Sequence, residues 1–132
     1  MDHDTRRDGR FAALARRHPD VVEAYERLTA ACAASGPLGH HDLALVKVAV
    51  SVGRGSWRGV HAHARKALEA GVSPQALRQV VLVALPTLGL HATLDAFKWV
   101  DEVIAEQAGP PPPAAQTGRL PVAGAMDAPG TT

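Results

Sequence analysis

The chain has 132 residues, 46% of them hydrophobic but only 4% aromatic, and 14 Lys and Arg stand against 13 Asp and Glu. Such a length predicts one domain around one core, with no need for a metal or disulfide to hold it together. Balanced charge and scarce aromatics argue against a nucleic-acid surface, since backbone tracking needs a broad basic face and base stacking needs rings. The early arginines Arg6, Arg7, Arg10, Arg16 and Arg17 read as a solvated face and arm. Cys32 is the single cysteine, which rules out an intramolecular disulfide or a two-thiol centre. No apolar stretch is long enough for a membrane span, and the expected location is the cytoplasm.

Residues 1–9 are polar and are expected to form an N-terminal arm. Phe11, Ala12, Leu14 and Ala15 make a short helical stripe. Pro19 suits the first turn of a second helix, in which Val21, Val22, Tyr25, Leu28 and Cys32 recur at spacings of three and four and mark one apolar face. Ser35-Gly36-Pro37-Leu38-Gly39 is a stop and turn. Asp42 is the expected cap of a third helix built on the apolar run Leu43–Val52. Trp57 to Glu69 reads as an alanine-rich fourth helix closed by Gly71. Ser73-Pro74 restarts the chain as a capping side chain followed by a first-turn proline, with Leu77, Val80, Val81, Ala84 and Leu85 as the inner stripe. Pro86 should end or kink that helix. A last helix is expected from His91 to Ala108, with Ala96, Phe97, Val100, Val103 and Ile104 inward. Four prolines, Pro110 to Pro113, then open an Ala/Gly/Pro-rich tail expected to be extended and disordered over 109–132. The fold class is therefore all-α, with about six helices over residues 10–108.

Chemistry is concentrated in the histidines, of which there are seven. On a helix His63 shares its face with Gly59, Val60, Ala67 and Ala70. Its imidazole therefore points into packed protein or a pocket lined by small side chains. A packed core histidine and a general acid/base both fit that pattern. His61 falls on another side, with Arg58, Arg65 and Leu68, and is expected to face solvent. Two histidines spaced i,i+2 do not converge on one ion, so no metal site is expected. Gly53-Arg54-Gly55 lacks the Lys-Ser ending of a phosphate loop, and no GxSxG or HExxH pattern occurs.

Beginning at Ser35-Gly-Pro-Leu-Gly39, the chain resembles the carboxymuconolactone decarboxylase family, whose fold is shared with the AhpD-like alkylhydroperoxidases. The likeness continues through Val48-Ala-Val-Ser51, Trp57 to His63-Ala-Arg-Lys-Ala67, Leu68-Glu-Ala-Gly71, Val72-Ser-Pro-Gln-Ala-Leu-Arg-Gln-Val80, Gly89 and Ala96-Phe97, and spans roughly residues 19 to 107. The resemblance implies a compact helical domain built on a helical hairpin. It also implies self-association as a dimer, trimer or hexamer with pockets near subunit contacts. His63 falls on the family's characteristic histidine, associated in the decarboxylase branch with acid/base work on a lactone acid. In the peroxidase branch a CxxC pair occupies the positions that are Ser56 and Gly59 here, so dithiol peroxidase chemistry is excluded. The family often has carboxylates where Ala44 and Gln79 stand, a tyrosine at Thr87 and a proline at His91.

These departures frame the expected site. His63 and His91 are the candidate catalytic pair, with His91 making up for the missing carboxylates. Arg54 and Arg58 are expected to steer the anion, Trp57 to wall the pocket and Thr87 to line it. No cofactor is expected. The resulting reading is an acid/base enzyme acting on a small organic acid or lactone, without redox cysteines. The alternative is a non-catalytic or divergent small-molecule-binding oligomer of the same fold.

Overall fold

A computed structural model describes residues 9–110. The polar arm up to residue 8 and the Pro-rich tail from 111 onward lie outside the described residues. Within them the chain forms six helices and no strand: α1 Gly9–Arg17, α2 Pro19–Ala33, α3 His40–Gly53, α4 Trp57–Glu69, α5 Pro74–Leu88 and α6 Leu90–Ala108. The all-α expectation and the helix count are met.

Four of these helices make the core. α3 packs against α4 and α5, and α6 packs against the same two. Within each sequential pair the helices are antiparallel: Ser51 meets Gly59 and His41 meets Ala70 across α3–α4, and Arg78 meets Asp101 across α5–α6. The two hairpins then lie side by side in the same sense. His61 on α4 pairs with Glu102 on α6, and Arg65, one turn further, pairs with Glu106, also one turn further. α4 and α6 are therefore parallel neighbours.

Val48, Val52, Val60, Ala64, Ala67, Leu77, Val81, Ala96, Val100 and Val103 form the buried centre. Most are alanine or valine, so the helices can approach closely, and a change of even one or two methylenes is felt by the neighbours. Ala96, Val100 and Val103 are inward as expected, with Phe97 and Ile104 half-buried beside them.

Local signals account for the helix ends. Ser73 accepts a hydrogen bond from the Ala76 amide at 3.1 Å, as its capping assignment predicts. Ser56 does the same for α4, accepting from the Gly59 amide at 3.0 Å. α3 and α4 end in the same motif. The Ser56 amide bonds the Ser51 carbonyl and the Gly55 amide the Val52 carbonyl; the Val72 amide bonds Ala67 and the Gly71 amide Leu68. Gly55 and Gly71 sit at φ of 62° and 92°, the left-handed conformation this ending demands.

Three expectations are corrected. α3 starts at His40 with Gly39 as N-cap, so Asp42 lies in the first turn, where its charge meets the helix dipole rather than capping an amide. α5 runs through Pro86 to Leu88. Proline removes the bond to the Leu82 carbonyl, but Leu82 and Pro86 are both exposed, where water can replace it. The expected start of α6 near His91 agrees with the observed Leu90. Finally, α2 packs chiefly on α1, and of its apolar face only Val22 is buried; Val21, Tyr25, Leu28 and Cys32 are exposed.

Because the centre is filled by small side chains, it should resist changes of volume in both directions. Leu77→Ala is expected to cost about 3 kcal/mol through loss of burial and the cavity left. Ala64→Leu should cost about 1–3 kcal/mol despite leucine's good helix propensity, because the site has no room. Urea denaturation of the two variants beside the parent chain measures both.

Candidate functional site

His63 sits at the middle of α4, between Val60 and Ala67, which are fully buried. The residue is half-buried and its Nδ1 atom lies inside the protein, out of hydrogen-bond reach of other groups, although the residue is engaged through other interactions.

One end of the α3–α4 hairpin is a tight polar knot. A Cβ on Gly59 would lie 2.8 Å from Ser51 Oγ, 2.9 Å from Ser56 Oγ and 3.1 Å from Ser51 Cβ. Ser51 is buried, and Ser56 Oγ is already committed to the α4 cap. Only glycine fits there without displacing one of the two serines.

The other end carries a pocket of about 340 Å³, lined by His40, Leu43 and Ala44 from α3 and by Lys66, Glu69 and Ala70 from α4. His41 closes the helices together beside it, its Nε2–H donating to the Ala70 carbonyl at 2.6 Å. That carbonyl belongs to the C-terminal turn of α4, where it has no partner within the helix. Lys66 is half-buried, and burial holds its ammonium below the ordinary lysine range, outweighing the nearby Glu69 carboxylate, which pulls the other way. Lys66 follows His63 by three residues and so lies one turn along on the same side of α4.

The remaining candidates lie elsewhere. Arg54 and Arg58 are exposed around the α3–α4 turn, and Trp57 is half exposed, its ring 4.9 Å from that of His61. His61 does not face solvent as expected. Its side chain is only 13% exposed and its Nε2 lies 3.0 Å from Glu102 Oε2. The missing signal was Glu102 itself, an acid on a helix distant in sequence. Thr87 and His91 are exposed beside the α5–α6 turn. Because His61 is level with Glu102, His91 lies about 20 Å from His63 along the bundle at 1.5 Å per residue. The two rings do not form a pair. Among the described residues no group of three or more His, Cys, Asp or Glu side chains is arranged to hold a metal ion.

The profile of the carboxymuconolactone decarboxylase family matches residues 19–102, which takes in α2 to α5 and most of α6. The chain belongs to the carboxymuconolactone decarboxylase family. No curated protein and no solved structure matches it. The family segment contains the α3–α4 hairpin with His63, the serine knot and the Lys66 pocket. The positions of the peroxidase-branch thiols are thus occupied by a capping hydroxyl at Ser56 and by Gly59, whose space is closed by Ser51. Ala44, where family members often carry an acid, lines the Lys66 pocket. Gln79, the second such position, lines a separate apolar groove of about 320 Å³ between α3 and α5, with Leu45, Val46 and Val83. Lys66, His40, His41 and Glu69 were not singled out from sequence. The only local hint was a basic side chain near the α4 C-terminus, which is common in helices for electrostatic reasons.

The knot gives a direct check. Gly59→Ala, ordinarily worth up to about 1 kcal/mol of helix propensity, should instead destabilise by about 1–2 kcal/mol, because the added methyl displaces Ser51 or breaks the Ser56 cap. Adding Ser51→Ala should recover part of the loss. Thermal unfolding of the two single variants and the double variant closes the cycle.

Proposed function

We propose that the protein is an acid/base enzyme acting on a small organic acid or lactone, and that His63 moves the proton. The observation that carries this reading is the placement of His63 on the family-matching helix, half-buried and one turn from a lysine-lined pocket. In a decarboxylation of this type the bond from carbon to the departing carboxylate breaks. Its electron pair forms a new double bond as carbon dioxide leaves, the lactone's own double-bond electrons shift away from it, and a protonated imidazole delivers a proton to the carbon at the far end of that conjugation. The substrate supplies the electron sink, so the protein need only fix the geometry and hold the proton. No thiol takes part: Cys32 lies exposed on α2, outside the α3–α4 hairpin.

A second reading, a binder of the same ligand class without turnover, is favoured by one observation. Ala44 and Gln79 leave no carboxylate at the two positions where the family often has one. Self-association fits both readings. The exposed Val21, Tyr25 and Leu28 on α2 and Leu82, Val83, Leu90 and Leu94 on the α5–α6 hairpin supply apolar surface for it. Sedimentation velocity of the full chain should show a dimer, trimer or hexamer, and a single monomer boundary up to high micromolar concentration would remove this part of the proposal.

Turnover itself is tested by incubating the protein with carboxymuconolactone and following carbon dioxide release. His63→Ala should lower kcat by about 10²–10⁴, the usual worth of a positioned proton-transfer group. Release that persists unchanged in the variant would remove His63 from the mechanism. Binding without release from the parent chain would favour the second reading.

A further inference from the structure

We propose that the pocket between the start of α3 and the end of α4 binds a carboxylate of a small organic acid, with Lys66 as the anchoring cation. The proposal deepens the acid/base reading by naming the group that holds the substrate, and it rests on that reading only for what happens after binding.

The pocket has two chemical halves. Leu43, Ala44 and Ala70 give an apolar wall suited to a compact hydrocarbon body, and Lys66, His40 and Glu69 give a polar side. Its volume, about 340 Å³, suits a single ring or a short chain and is small for a nucleotide. No aromatic side chain other than the His40 imidazole lines it, which removes the usual platform for a base.

Charge selects the ligand. Lys66 is partly withdrawn from water, and the withdrawal outweighs the attraction of Glu69. A cation that has lost solvation gains more from an incoming anion than a fully hydrated one does. Glu69 is exposed. Its charge disfavours a group as densely charged as a phosphate monoester, so a carboxylate is preferred. The His41 bond to the Ala70 carbonyl ties α3 to α4 at this end, so the two halves of the pocket are held at a fixed spacing without a ligand. Lys66 and His63 are one turn apart on the same side of α4, about 4.5 Å along the axis. An acid anchored at Lys66 therefore extends its reacting carbon along α4 toward the imidazole. Arg54 and Arg58, at the opposite end of the hairpin, are not needed to hold it.

The test uses the full chain with benzoate as probe and benzamide as its neutral isostere. The protein has three lysines, Lys47, Lys66 and Lys98. Benzoate should slow acetylation of Lys66, read by peptide mass spectrometry, while Lys47 and Lys98 serve as internal standards and react at unchanged rates. Amide shifts in ¹H–¹⁵N spectra should give a benzoate affinity at least about tenfold weaker in Lys66→Gln, the usual loss for one charge-assisted hydrogen bond. Lys66→Arg should keep most of it, and benzamide should bind weakly to all three proteins. Equal binding of benzoate and benzamide, or benzoate affinity in Lys66→Gln within twofold of the parent, overturns the proposal. Lys66 is half-buried and not in the core, and Lys66→Arg guards against an effect of folding. If benzoate binding depends on Lys66 but no carbon dioxide is released from the lactone, the catalytic reading fails and the site stands. If release depends on His63 but its KM is unmoved by Lys66→Gln, the site fails and the catalytic reading stands.

Discussion

The approach of α3 to α4 at Gly59 is the contact on which the rest of the molecule depends. Two serine hydroxyls occupy the space a Cβ would take, one buried on α3 and one capping α4. That contact fixes the spacing of the hairpin at its turn. The His41 bond to Ala70 fixes it at the far end. Between these two staples lie His63 and the Lys66 pocket, so the geometry of the candidate site follows from helix-end chemistry rather than from the hydrophobic centre. The centre adjoins His63 on α4, where Val60, Ala64 and Ala67 set how deeply the helix is buried.

The same staples explain why this family member stands apart from dithiol chemistry at the level of packing. A second thiol at position 59 would need more than a sequence change. It would have to displace Ser51, whose burial leaves little freedom, or dismantle the cap that starts α4. The absence of the pair and the closure of its space go together. No thiol stands on this helix, and His63, Lys66 and Glu69 are among its ionisable side chains.

Much of the fold was legible because it is written in local signals. Pro19, Ser73-Pro74 and Gly71 act within a turn of where they stand, and the core stripes of α5 and α6 repeat at the helical period. The errors arose where partners are remote. His61 looked solvent-facing because Glu102 is 41 residues away. The pairing of His63 with His91 failed because the parallel register of α4 and α6, not the sequence spacing, decides which residues are level. Tyr25 and Leu28 have the periodicity of a core face, but periodicity states only that a face is apolar, not what covers it. The Lys66 pocket escaped notice because it is assembled from two helix ends whose residues are individually ordinary.

The parallel pairing has a consequence for how the chain finds this arrangement. Each hairpin closes through a very short turn, at little loop entropy, whereas joining α4 to α6 links residues 41 apart. The docking of one hairpin on the other is thus the step that local sequence guides least. An alanine- and valine-rich interface guides it poorly too, since small apolar side chains repeat along every helix and tolerate a slip of one turn. The His61–Glu102 pair does not, although Arg65 would exchange Glu106 for Glu102. Slipped back by a turn, His61 would meet Lys98 in place of an acid, a pairing of two bases. Partly exposed ion pairs add little to stability. The value of His61–Glu102 is that it tells two nearly equivalent dockings apart.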